Sequence, residues 1–200
     1  MSTSDRTTVR TPTQAAEGLP RWRWTLAEFE RFIELGIFSE ADRVELIGGE
    51  VVPMSPKGNQ HEQFRLLLQR WFSRNVSADV DVLPEPGWRP DGEHYIEPDI
   101  LLAPLSNNPV QTPAAEVMLL IEVADTSLSY DLQVKAVVYA ALGVSEYWVV
   151  DARRIVTHVH LNPVAGRYTT VEAFGPESVL TIERMPGLTF RLADLAVPPA

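Results

Sequence analysis

Cysteine is absent from this chain of 200 residues, which excludes disulfides and thiolate metal sites and makes a reducing cytoplasm the expected setting. Lysine is nearly absent. Only Lys57 and Lys135 occur, while arginine supplies the other cations, so each lysine invites its own explanation. Positive charge is short overall: 17 Lys and Arg stand against 27 Asp and Glu, a formal net charge of −10. That balance argues against a broad basic face and weighs against nucleic acid, whose phosphates normally draw most of the affinity from cations. An acidic chain still acts on nucleic acid where a metal and a local arginine patch provide the field. No apolar run reaches the roughly 20 residues of a membrane span. The polar N-terminus, MSTSDRTTVRTPTQAAEGLP, lacks the apolar segment of a signal peptide. Also missing are GxGxxG, a P-loop, GxSxG and CxxC, the commonest local signatures of nucleotide, acyl-transfer and thiol chemistry.

What is present suffices for a packed core, with 45% hydrophobic and 22% charged residues. Residues 1–20 read as a disordered leader and residues 21–196 as a single domain. WTLAEFERFIELG predicts a helix, with Thr25 and Glu28 forming a capping box and Gly36 just past its end. RVELIGGEVVPMS predicts a hairpin around Gly48 and Gly49. In HEQFRLLLQRWFSRNV the spacing of Phe64, Leu67, Leu68, Trp71 and Phe72 predicts an amphipathic helix. Strands follow at ADVDVLP, YIEPDILLAP, MLLIEVA and EYWVVD. The last two flank a helix over SYDLQVKAVVYAALG, with Ser129 as its N-cap and Gly143 at its stop. Further strands follow at RIVTHVHL, RYTTVEAF, SVLTI and LTFRL. The fold class is therefore mixed α/β (α+β): a central mixed sheet flanked by helices, with a β-rich C-terminal part.

One residue conflicts with this pattern. Glu122 sits inside the apolar strand MLLIEVA, where an ionised carboxylate costs several kcal/mol unless a cation lies beside it. Asp99, in EPDILLA, heads another apolar strand, and the two carboxylates converge if those strands are neighbours. Paired oxygen ligands of this kind suit Mg²⁺. Lys135, on the helix after the Glu122 strand, either pairs with Asp131 at i,i+4 or approaches the carboxylates. Glu45 is either solvent-facing or an additional ligand. His61 begins the second long helix, within reach of a phosphate or of solvent, and Glu97 shares a face with Asp99. In the H-x-H pair His158 and His160, the alternation with Ile155, Val159 and Leu161 turns both histidines outward, with no third zinc ligand apparent.

EPD at 97–99, IEV at 121–123 and DLQVKAVVYAALGVSEYWVVD at 131–151 resemble the Uma family of restriction-endonuclease-like proteins, within the PD-(D/E)XK nuclease superfamily. RVELIGGEVVPMSP and the helix carrying His61 match the family's N-terminal half, so the resemblance spans about residues 24–195. It implies a restriction-endonuclease-like core and a divalent metal, Mg²⁺ or Mn²⁺, held by Asp99, Glu122 and the carbonyl of Val123. In much of the superfamily a lysine lies two residues after the acid on the same strand, a position that is Ala124 here. The resemblance places that lysine on the next helix, at Lys135. Where many relatives read EVLSPS this chain reads EVADTS, which adds the charge of Asp125.

The leading expectation is metal-dependent hydrolysis of a phosphodiester in DNA, with Lys135 positioning the attacking water and Glu45 and His61 in support. On this reading the dication is what makes Glu122 tolerable in its strand. A homodimer would supply the two sites that cutting both strands needs. Two rivals stand beside it. One is a nuclease-fold interaction module without turnover. The other is a metal-free glycosidase using Asp99 and Glu122 as acid and base, which leaves Lys135 without a role.

Overall fold

The computed structural model describes residues 21–195, so the expected leader and the last residue of the expected domain lie outside it. Helix α1 (Leu26–Glu34) starts as its sequence dictates. The Thr25 backbone N–H donates to Glu28 Oε2 at 2.8 Å and the Glu28 N–H to Thr25 Oγ1 at 3.2 Å, and Gly36 takes a left-handed φ of 70° after the last turn. Strands β1 (Val44–Ile47) and β2 (Glu50–Pro53) form the expected hairpin. Gly48 and Gly49 sit at φ 57° and 77°, a pair of left-handed values that suits glycine. Helix α2 (Asn59–Asn75) follows, then β3 (Val80–Pro84), β4 (Ile100–Pro104) and β5 (Leu119–Ala124).

The connection from β5 to β6 (Glu146–Asp151) is helical in three parts: α3 (Leu128–Tyr130), a π-helical turn (Asp131–Lys135) and α4 (Ala136–Leu142). Ser127, not Ser129, stands at the N-cap, because its carbonyl accepts the N–H groups of Tyr130 and Asp131 at 2.8 and 3.0 Å. Gly143 stops the helix at φ 92°. Strands β7 (Val156–Val164) and β8 (Arg167–Phe174) complete a six-stranded sheet of order β3-β4-β5-β6-β7-β8. Only β5 and β6 are parallel within it, as a helical crossover requires. A second hairpin, β9 (Leu180–Ile182) and β10 (Met185–Phe190), lies apart from the sheet order.

Both faces of the sheet are covered, and β5 and β6 are buried at every position. Phe64, Leu68 and Phe72 of α2, with Leu180, Ile182 and Phe190 of the C-terminal hairpin, pack on Ile100, Ile121 and Trp148. On the other face Val138 and Tyr139 of α4, with Trp88, pack on Leu101, Leu120 and Tyr147. This second layer corrects the reading of the H-x-H pair. His160 is buried, its ring 5.2 Å from that of Tyr147 and 5.6 Å from that of Tyr168, because α4 packs against β7 and β8. His158 is half-buried on the same strand. Among the described residues no helix is long and apolar enough to cross a membrane.

Candidate active site

The register of β4 and β5 decides where the two carboxylates meet. The strands run antiparallel, pairing Ile100 with Ile121, Leu101 with Leu120 and Leu102 with Leu119. One step beyond Ile100 and Ile121 puts Asp99 opposite Glu122, at one end of the sheet. Asp99 is 2% exposed and Glu122 4% exposed, so neither can rely on water for its charge.

Asp99 is compensated from three directions. Lys57 Nζ donates to Oδ1 at 3.0 Å, His61 Nε2 lies 2.9 Å from Oδ2, and the Val123 backbone N–H donates to Oδ2 at 2.7 Å. Burial opposes ionisation, yet His61, Lys57 and the Val123 N–H outweigh it and hold the carboxyl below its usual range. His61 reaches Asp99 because the first turn of α2 points it inward, where it is 7% exposed. Lys57 precedes that helix and also pairs with Glu85, which in turn lies 3.4 Å from Arg65 Nη1. Glu85 adopts a left-handed φ of 45°, uncommon for a residue with a side chain, and its N–H donates to the Asp99 carbonyl at 3.1 Å.

Glu122 has neutral help and a shared cation. Lys135 Nζ and the Tyr139 hydroxyl donate to the same oxygen, Oε1, at 2.8 and 2.7 Å. The lysine also lies 3.5 Å from Glu45 Oε1, which accepts the Glu97 N–H at 2.9 Å. Burial raises the Glu122 carboxyl well above its usual range; Lys135 opposes this, and the charges of Asp99 and Asp131 reinforce it. Lys135 stays charged, because Glu122, Glu45 and Asp131 together outweigh the burial that would otherwise lower it. Its ammonium goes to these strand carboxylates rather than into an ion pair with Asp131. Asp131 instead accepts the Ser127 hydroxyl at 2.5 Å and is raised to about 6, mainly by burial.

Glu45, His61, Asp99, Glu122, Asp131 and Lys135 line one cleft, together with Glu97, Tyr130 and residues 53–57. The structure thus brings together Asp99, Glu122, Lys135, Glu45, His61 and Val123. Glu45 is buried against Lys135, not solvent-facing. Ala124, where much of the superfamily has the lysine, is fully buried in the apolar layer that also holds Ala136 and Tyr139. Asp125 is neutralised outside the cleft. Arg153 Nε donates to its Oδ1 at 2.6 Å, and its Oδ2 lies so close over Gly58 that a Cβ there would be 2.6 Å away. Sequence reasoning missed Lys57 and Tyr139. The scarcity of lysine was a signal for the first, whereas Tyr139 reads as ordinary helix core.

Among the described residues no group of three or more His, Asp or Glu side chains is arranged to hold a metal ion. The donor set still fits Mg²⁺ or Mn²⁺, since Mg²⁺ binds through one or two carboxylates and takes its remaining oxygens from water and substrate. Glu122 Oε2 carries no protein hydrogen bond among the described residues, and Asp99 Oδ1 carries only that of Lys57.

Comparison with known proteins gives the family and the fold. The Uma2 family model, described as "Putative restriction endonuclease", matches residues 26–196. The chain belongs to the Uma2 family. Its fold is similar to the crystal structure, at 1.96 Å, of a "putative nuclease belonging to DUF820" from Anabaena variabilis ATCC 29413. The TM-score is 0.66 at 17% identity, over 86% of this chain and 96% of that one. At that identity the likeness shows the nuclease-type fold alone. No match was found among curated proteins.

Proposed function

We propose that this Uma2 chain is a Mg²⁺- or Mn²⁺-dependent endodeoxyribonuclease that hydrolyses phosphodiester bonds in the cleft between β4, β5 and α2. The observation that carries the reading is the pairing of Asp99 and Glu122 across adjacent strands with Lys135 on Glu122. Asp99, Glu122 and the Val123 carbonyl would hold the metal, which when bound supplies Lewis-acid polarisation of the phosphoryl oxygen and acidifies water. Lys135 presents a charged donor to the attacking water and to the charge that grows on the phosphate as the P–O bond breaks. Glu45 shares that ammonium and fixes its direction, while His61 fixes Asp99.

DNA would meet this acidic chain at an exposed arginine pair beside the cleft, where a phosphate would compete with the aspartates that now hold each guanidinium. The turn after β6 carries Arg153 and Arg154, whose side chains are 60% and 74% exposed. Asp151 Oδ1 accepts both of their backbone N–H groups, at 3.0 and 2.9 Å, so the turn is preorganised. Gln60 Nε2 ties it to α2 through the Ala152 carbonyl at 2.7 Å. Since β5 and β6 are parallel, this turn leaves the sheet at the same end as Glu122. A homodimer would provide the second site for cutting both strands. The silent-module reading keeps one observation in its favour: a lysine already occupies one oxygen of each carboxylate.

Supercoiled and linear DNA incubated with Mn²⁺ and wild type, Asp99→Asn or Glu122→Ala separates the two. Cleavage by wild type and a loss of about a hundredfold or more in either variant supports the nuclease. No cleavage by a folded, metal-loaded wild type supports the module, and equal cleavage by all three marks a contaminant.

A further inference from the structure

The four oxygens of the carboxylate pair are not equally engaged. Asp99 Oδ2 takes two partners, His61 and the Val123 N–H, and Glu122 Oε1 takes Lys135 and Tyr139. Among the described residues Glu122 Oε2 has no protein hydrogen bond, and Asp99 Oδ1 has only Lys57. A cation shared between Glu122 Oε2 and Asp99 Oδ1 therefore finds the first oxygen open and the second held by the Lys57 ammonium. A dication and an ammonium repel strongly on one buried oxygen, because little water is present to screen them.

We infer that Lys57 is a resident counter-cation that occupies the Asp99 side of the divalent-ion site and must leave when a metal binds. The inference rests on the proposed metal-dependent reading and adds a regulatory element to it. Lys57 has the means to move. Its side chain is 15% exposed, it sits in the 54–58 loop outside helix and strand, and it already touches a second carboxylate, Glu85. Glu85 is 33% exposed and is anchored by Arg65, so it offers the ammonium a place to retire to at the rim. The exchange swaps one cation for another on Asp99, which keeps the buried carboxylate paired at every stage. It also sets a threshold: the metal competes with a tethered ammonium whose local concentration does not fall on dilution.

The test is calorimetric titration of Mn²⁺ into the full chain without DNA. Lys57→Met is expected to bind Mn²⁺ about tenfold more tightly than wild type, the size of one lost charge-assisted hydrogen bond. Arg70→Gln removes an equal charge from an exposed position on α2 and controls for the general field; its affinity stays within about twofold. Should the Met variant not fold, Lys57→Gln retains a donor to Asp99 without the charge and reports the same gain. If wild type binds Mn²⁺, Glu122→Ala abolishes that binding, and removal of Lys57 leaves the affinity unchanged or weaker, the counter-cation is wrong while the metal site stands. If neither wild type nor the Lys57 variants bind Mn²⁺, the metal-dependent reading falls and takes this inference with it.

Discussion

Asp99 and Glu122 face each other across one pair of strands, yet their surroundings push them in opposite directions. Asp99 gathers a lysine, a histidine and a backbone N–H, which hold its carboxyl below the usual range despite burial. Glu122 has one lysine, which it shares with Glu45, and a tyrosine hydroxyl, and is pushed toward its protonated form. Burial acts on both acids, so the number and sign of the partners set against it decide which way each one moves. Lys135 meets part of the demand that the apolar strand makes for a cation beside Glu122, and the proposed metal would meet the rest.

The sharpest way to break the contrast is to remove the shared cation. Lys135→Met leaves Glu122 and Glu45 buried without their ammonium and is expected to cost about 3–5 kcal/mol in urea unfolding. Adding Glu122→Gln to that variant should recover part of the loss. A cost below about 1 kcal/mol, the level of an exposed ion pair, would remove Lys135 from its place as the organiser of this side.

The two acids can next be compared directly. Asp99→Asn forfeits charged partners and should cost about 2 kcal/mol near neutral pH, whereas Glu122→Gln, whose oxygen still accepts from Lys135 and Tyr139, should cost less. Their pH dependences have opposite signs. Asp99 has a depressed value, so its advantage over Asn is complete above the unfolded value of 3.8 and fades as pH falls through the folded one. Glu122 has a raised value, so wild type loses stability as pH climbs from the unfolded 4.5 toward the folded value, and Glu122→Gln does not. Unfolding curves in chelator across this range test both, and parallel curves for wild type and Glu122→Gln would contradict the assigned difference.

The smallest expected effect lies on the rim. Arg153→Gln or Arg154→Gln should leave folding nearly unchanged and lower the salt slope of DNA binding by about 1 each, the share of one phosphate contact. An unchanged slope would place the DNA path elsewhere on the chain.

The parallel pair beside the site was legible because a helix lies between MLLIEVA and EYWVVD, whereas the adjacency of the Asp99 and Glu122 strands was only a condition, since nothing in either run names its neighbour. The capping box and the Gly48–Gly49 turn were equally readable, since each depends on a few adjacent residues. His160 was misread because period-two alternation distinguishes two faces without saying whether the second is covered. Lys57 was opaque for a different reason: a loop has no period, so nothing local tells which distant carboxylate its side chain meets. Glu45 stayed ambiguous because one carboxylate on a short hairpin strand is neutral evidence until its cation is placed.

The turn over Asp131–Lys135 carries a wider lesson. There the Ala136 N–H reaches back five residues to the Asp131 carbonyl, and the Tyr147 hydroxyl donates to that carbonyl too, at 3.2 Å. This wider loop of backbone holds one residue more than a regular turn of the same helix would. Which side chains confront Glu122 is thereby fixed by counting along the chain as much as by chemistry. Losing or gaining a single position before Ala136 would rotate the whole preceding segment, Ser127 and Asp131 included, while leaving every amino acid type intact.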